Sequence, residues 1–385
     1  MENERVMTRR GFLHGCAAVL RTGACVVLAG CTTGASGTSG AASMSGAATG
    51  TASGSVGVSA AAAEGSASGA GSRLPAVSEG SSASLPEQLT RTLFAFDTVV
   101  TLKVSCDEEV MDGAVDMCNY FESIFSRTRE TSDVGRVNAA AGASVQVAPE
   151  TADIVRKALV YCEESDGLFD ITIGAASALW DFKEGVVPDP AALEEAVKHI
   201  DYHVVNVDGT TITLADPQAK LDLGGIAKGY IADALCDYFA ERGCTSGFVN
   251  LGGNVKTIGC KPGGEPWHVG IQDPNDSQGQ VVAAVYSQGS SAVTSGLYER
   301  QFERGGRRYW HILDPRTGYP VETDLVSATI ISDASIDGDG FTKPLFMMGR
   351  DDALAWINAK EGIEGLVVDA GGTLTQSFGC NAEVF

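Results

Sequence analysis

The sequence predicts an α+β domain, and three observations predict it. Apolar residues recur at helical spacing in several segments between Asp107 and Gly243. Strand-like runs rich in Val, Ile and Thr dominate from Gly247 onward. Asp208-Gly209 sits between two such runs as a tight hairpin turn. Helices mixed with mainly antiparallel strands define the class.

The elements follow in chain order. Residues 94–104 alternate and are rich in Val and Thr, which predicts a strand. Over 107–125, Val110, Ala114, Met117, Phe121 and Ile124 mark one face of a helix. The polar stretch FSRTRETSDVGRVN reads as a loop. Pro149 then opens a helix that Ile154, Ala158 and Leu159 carry to about Glu164, because the fixed φ of proline suits the first helical position. Pro190 opens another, to His199, and 202–214 reads as a hairpin. After Gly225 a helix runs through Ile226, Tyr230, Ala234, Leu235 and Phe239 to about Gly243. Strands are expected over 247–259, 267–272, 281–287, 308–313, 326–332 and 365–369, with a last helix over 351–360.

The chain ahead of these elements has a different character. Arg9 and Arg10 precede a short apolar stretch that ends in Leu28-Ala-Gly-Cys31. That order matches a twin-arginine-like export signal closed by a lipobox, with lipid carried on Cys31. Residues 1–31 are therefore read as a lipoprotein signal. Residues 32–90 are almost entirely Gly, Ala, Ser and Thr, too poor in apolar surface to offset chain entropy, and read as a disordered tether. The folded domain is expected over 91–385, placed outside the cytoplasm on the cell membrane. No later segment is long and apolar enough to span a bilayer.

The 385-residue chain carries a net charge of −22, which argues against nucleic acid, a partner that needs a basic face. Seven cysteines follow Cys31 without close pairing, so no disulfide framework or CxxC metal site is expected. With only five histidines, a histidine-rich zinc site is excluded, and any metal held by carboxylates, hydroxyls and carbonyls would be magnesium or calcium.

Six segments concentrate glycine and polar residues beyond what a core requires. In LDLGGIAKGYIAD (221–233), Asp222, two glycines and Lys228 lie on one strand-to-helix turn. Two readings stand side by side: a capped helix with a solvated lysine, and an anion site at a helix start. SDGLFDITIG (165–174) sets Asp170 between apolar neighbours, where it could simply satisfy local backbone groups. NLGGN (250–254) suits a bulge, a turn or a ligand ring against bare backbone. TSGLYER (294–300) places hydroxyls beside a glycine. HILDPRTG (311–318) ends a strand at His311. DGDGFTK (337–343) could form an acidic cation loop, although EF-hand spacing is absent.

In this order and spacing, the segments, together with FDTVVTL near residue 96, resemble the ApbE family of FAD:protein FMN transferases, over about 94–349. The resemblance implies the family's α+β, T-fold-related arrangement with FAD in a cleft. It also implies a magnesium-dependent transfer of FMN from FAD to a Thr or Ser hydroxyl of an exported acceptor protein, with release of AMP. Phe96, Leu168, Phe169, Asp170, Asp222, Lys228, His311 and Ile312 match flavin-nucleotide positions. The carbonyl of Gly225, with Asp339 and Thr342, matches the metal site. Asp339 and His311 are the candidates to take the acceptor proton, Asp339 alternatively serving only as a metal ligand, and Lys228 is the lysine that stabilises the growing phosphate charge. Two alternatives remain open, an FAD pyrophosphatase and a non-catalytic flavin-binding lipoprotein. One departure stands out, because the family's metal loop reads D-x-x-x-T and Lys343 occupies the threonine position, with Thr342 one residue early. Either Thr342 reaches the metal through a local backbone change, or Lys343 weakens or replaces magnesium, or the activity is altered. The first is the expectation carried forward.

Overall fold

The computed structural model describes residues 87–276 and 279–385. The export signal, Cys31 and residues 32–86 of the tether lie outside the described residues. Eight antiparallel strands form the central sheet: β1 (Gln88–Ala95), β2 (Thr98–Ser105), β3 (Ser246–Leu251), β4 (Asn254–Gly259), β5 (Ser291–Gly296), β6 (Leu325–Ser332), β7 (Glu364–Asp369) and β8 (Leu374–Gln376). Their spatial order is their chain order, so each strand pairs with its predecessor despite long insertions.

Among the described residues eight α-helices accompany the strands: α1 (Glu108–Phe125), α2 (Asp133–Ala139), α3 (Pro149–Glu164), α4 (Gly174–Ser177), α5 (Pro190–Val197), α6 (Ala227–Glu241), α7 (Ser335–Met348) and α8 (Arg350–Asn358). Strand period decides which layer each residue joins. Val249, Leu251, Ala328, Ile330 and Val367 point into the main core shared with α1, α6, α7 and α8. Val255, Ala292, Ile331 and Leu366 face the other way, against Val269, Ile271, Ala283 and Val285 of a small sheet made by Trp267–Gln272, Val281–Ser287 and Glu383–Val384. The result is a layered α+β fold with mainly antiparallel sheets, as the sequence predicts. No helix among the described residues is long and apolar enough to cross a membrane.

Four expectations are corrected. The single strand over 94–104 is a hairpin that begins at Gln88, inside the stretch assigned to the tether, and turns at Phe96-Asp97. The single strand over 247–259 is also a hairpin, turning on Gly252-Gly253, whose φ values of 56° and 98° suit a tight two-residue turn. A Cβ on Gly252 would fall 2.0 Å from Thr98 Oγ1, so the turn seats against β2 only because it is bare. The third concerns DGDGFTK, which lies inside α7 rather than in an acidic loop, and the fourth the polar stretch 125–138, which from Asp133 is helix α2 rather than loop.

Candidate functional site

The segments singled out in the sequence meet around the start of α6. Asn138 of α2 clamps Leu221 from both sides, its amide donating to the Leu221 carbonyl at 2.9 Å and its oxygen accepting the Leu221 N–H at 2.7 Å. The Asp222 N–H donates to the carbonyl of Ile171 at 2.8 Å, which ties the glycine turn to SDGLFDITIG. The Asp222 carboxylate accepts from the Ser177 hydroxyl at 2.7 Å and from its own turn at the Gly224 N–H, and it pairs with Arg127 at 3.1 Å. Phe169 is buried beneath the turn, and a Cβ on Gly225 would meet its ring at 2.9 Å. Phe169 packs beneath the turn as part of the core.

Asp170 is likewise turned to structure. Its carboxylate accepts from the Thr172 N–H and hydroxyl at 2.7 and 2.6 Å and from the Tyr202 N–H at 3.0 Å. Burial pushes its carboxyl up, and the hydrogen bonds oppose that shift. Leu168 lies half-buried in the preceding turn, and Ile312 is buried in the core. Phe96 occupies the β1–β2 turn at φ 55°, followed by Asp97 at φ 58°, an uncommon backbone for a bulky residue. The turn is held from outside: Glu122 accepts the Phe96 N–H at 2.8 Å, and Asp97 pairs with Lys183 at 2.7 Å and Arg300 at 3.2 Å.

The centre of the site is Asp339 on α7, wholly buried. Its Oδ2 accepts the Gly229 N–H in the first turn of α6 at 2.7 Å, where a helix has unsatisfied donors. Its Oδ1 takes Lys343 at 2.7 Å and Lys228 at 3.4 Å. Lys343 lies one turn along the same helix, so the i,i+4 spacing puts it on the face of Asp339. Burial alone would raise Asp339, but the two ammoniums and the Gly229 N–H hold its carboxyl down at about 2. The lysine side chains keep some accessible surface, 20% exposed for Lys228 and 15% for Lys343.

Three more groups feel this charge. Glu299 reaches solvent after β5, yet protein crowds it, so desolvation pushes its carboxyl up against the pull of Lys228, Lys343 and Arg300. Its Oε1 accepts the Gly296 N–H at 3.1 Å. His311 donates its backbone N–H to the Arg300 carbonyl at 3.1 Å, and its Nδ1 is buried without a partner. Desolvation, reinforced by Arg300, Lys228 and Lys343, pushes the imidazole down to about 3, so it is neutral near pH 7. Glu299 and Arg300 belong to TSGLYER, which drew notice for its hydroxyls and glycine. Its charges matter only once the fold brings them to Lys228.

The resemblance implies magnesium on Gly225, Asp339 and Thr342, and these residues do not fit that ion. Magnesium demands a near-octahedral oxygen shell. Asp339 spends both oxygens on the two lysines and the Gly229 N–H, and the Lys343 ammonium stands where a cation would. α7 runs unbroken through Thr342, without the local backbone change that would free its hydroxyl. That hydroxyl is buried in a 2.9 Å hydrogen bond with Ser295. Among the described residues, no group of three or more His, Cys, Asp or Glu side chains is gathered as a metal site.

Comparison with known proteins agrees with this picture of the fold. The sequence pattern described as the ApbE family matches residues 96–367. A protein of Treponema pallidum named FAD:protein FMN transferase is 36% identical over 265 residues, covering 64% of this chain and 73% of that protein. A Klebsiella pneumoniae protein of the same name is 35% identical, covering 69% and 83%. The crystal structure of the ApbE protein from Thermotoga maritima superposes with a TM-score of 0.71 at 32% identity, over 76% of this chain and 97% of that one.

Proposed function

The chain belongs to the ApbE family, and from that premise we propose that it is an enzyme that transfers FMN from FAD to a hydroxyl of another protein. The observation that carries the reading is the pair of ammoniums, Lys228 and Lys343, on buried Asp339 beside the start of α6, with Arg300 adding to the field at His311, in a chain whose relatives are named FAD:protein FMN transferases. FAD brings a diphosphate, and three cations beside bare glycine backbone at a helix start suit that group.

The chemistry is a phosphoryl transfer. A Thr or Ser hydroxyl oxygen of the acceptor attacks the FMN phosphorus, the bond from that phosphorus to the bridging oxygen breaks, and AMP leaves with the electron pair. Negative charge grows on the departing phosphate, and fixed ammoniums stabilise it without reorganising. The acceptor proton needs a base. Asp339, held at about 2 and saturated by cations, is an anchor for the lysines rather than that base. Neutral His311, with its unpartnered Nδ1, has an open lone pair or N–H to offer, and an entering dianion raises its basicity by offsetting the cations around it. Magnesium is left out of this scheme, because Lys343 takes the place on Asp339 that the ion needs.

The proposal extends to place. Arg9-Arg10, the apolar stretch and Leu28-Ala-Gly-Cys31 support export and lipid attachment at Cys31, and the Gly/Ala/Ser/Thr tether would let the domain reach exported flavoprotein acceptors from the membrane. Replacing Cys31 with Ala is expected to move the protein from the membrane to the soluble fraction; unchanged fractionation counts against the anchor.

The test of the activity is incubation of the full chain with FAD and an exported flavoprotein acceptor, followed by denaturing electrophoresis. Flavin fluorescence that stays with the acceptor is the expected result. Free FMN and AMP with an unlabelled acceptor would replace transfer by hydrolysis. FAD binding without either product would leave only a flavin-binding lipoprotein.

A further inference from the structure

Resting on the transferase reading, we infer that Lys343 fills the seat of a divalent cation, so that this chain neutralises the diphosphate of its dinucleotide with the ammoniums of Lys343 and Lys228 instead of magnesium. Three observations lead there. The first is position: Lys343 Nζ lies 2.7 Å from Asp339 Oδ1, on the oxygen a metal ion would otherwise bind, and the side chain is only 15% exposed. It is a built-in partner, fixed by the pitch of α7, and not a surface lysine free to swing.

The second observation is charge. One buried carboxylate faces two ammoniums, and Arg300 adds to the same field at His311 and Glu299. Lys228 and Lys343 outnumber Asp339 by one charge, while Arg300 is already paired with Asp97 at 3.2 Å, so the surplus before any ligand enters is one ammonium on Asp339. A diphosphate supplies the missing negative charge, whereas a divalent cation would add to the surplus and face two ammoniums at contact distance. The third observation is Thr342. Its hydroxyl is committed to Ser295 inside the core at 2.9 Å, which leaves the oxygen set one short. A lysine in this seat also needs no supply of a metal ion, because its nitrogen is part of the chain.

The experiment is equilibrium binding of FAD to the full chain, in EDTA and in excess magnesium, for the parent and for Lys343→Thr. The parent is expected to bind FAD with the same affinity in both buffers. Lys343→Thr is expected to bind about tenfold more weakly in EDTA, the loss of one charged hydrogen bond, and to recover in magnesium. An affinity of the parent that falls about tenfold or more in EDTA overturns the inference. That measurement needs no variant, so a Lys343→Thr chain that fails to fold does not rescue it. Manganese added to the parent as a paramagnetic probe of the same seat should stay free, and stoichiometric binding at Asp339 counts against the inference equally. Binding is read apart from transfer: equal affinity in both buffers with no flavin on the acceptor supports the lysine seat and overturns the transferase reading alone.

Discussion

α6 and α7 each carry an aspartate that caps the other helix, and the two aspartates differ in how much positive charge they hold. Asp233, on α6, accepts the N–H groups of Ser335 and Ile336 at the start of α7 at 2.7 and 2.9 Å, and pairs with Lys256 at 2.5 Å. Asp339, on α7, accepts the Gly229 N–H at the start of α6 and pairs with both Lys228 and Lys343. The capping device is the same, since each carboxylate satisfies donors that a helix start leaves open. At Asp233 one negative charge meets one ammonium and the account closes within the protein. At Asp339 the two ammoniums outnumber the carboxylate, and their charge is felt together with that of Arg300 at Glu299 and His311. The lesson is that a buried aspartate at a helix start explains itself, and the surplus cation beside it is what calls for a ligand.

Breaking the crowded pair gives the largest effect. Asp339→Asn removes the only carboxylate between two ammoniums, and urea unfolding should show a loss of about 3–5 kcal/mol. Adding Lys343→Met to that variant should return part of the loss; no recovery would mean that the lysines do not strain each other. The closed pair should give less. Asp233→Asn weakens the α7 cap and the Lys256 contact for about 2 kcal/mol, with FAD affinity unchanged.

Acid sharpens the contrast further. His311 has its pKa lowered from 6.5 to about 3, so the unfolded chain takes up a proton that the folded chain refuses. The stability tied to this refusal is complete above 6.5 and is lost as the pH falls from there toward 3. At pH about 5.5 the parent should lose about 1.4 kcal/mol relative to His311→Gln, read from unfolding midpoints of the two chains. Parallel curves would show that neither burial nor the neighbouring cations lowers the imidazole in the fold. The smallest effect belongs to Thr342→Val, about 1 kcal/mol for the lost hydrogen bond to Ser295, with no change in FAD binding.

How far the sequence shows all this depends on whether a local rule or a tertiary contact decides each element. α3 begins at Pro149 and ends at Glu164 as expected, because proline and the apolar period act within the segment itself. α7 escapes sequence reading because Gly338, Gly340 and Pro344 are poor helix residues. Their reason is packing: a Cβ at Gly338 would fall 2.4 Å from Val293, and one at Gly340 2.5 Å from the Tyr161 ring. The β1–β2 turn escapes for a related reason, since Phe96 and Asp97 are not the usual turn pair and are held by Glu122, Lys183 and Arg300 from distant parts of the chain. In the site, Asp222, Lys228, Asp339 and the odd Lys343 stand out by motif. Glu299 does not, since nothing in TSGLYER says that its carboxylate faces α6 and α7. Phe169 and Asp170 match nucleotide positions by resemblance, and the fold buries both beneath the turn, Asp170 in local hydrogen bonds.

The contrast between the two lysine environments rests on one comparison of variants. FAD is titrated into the full chain carrying Lys228→Met and, separately, Lys256→Met, each at a temperature where it is folded. If the surplus charge at Asp339 is the diphosphate site, Lys228→Met weakens FAD binding about tenfold or more, while Lys256→Met binds as the parent does. Equal affinities for the two variants, or a larger loss for Lys256→Met, would contradict it.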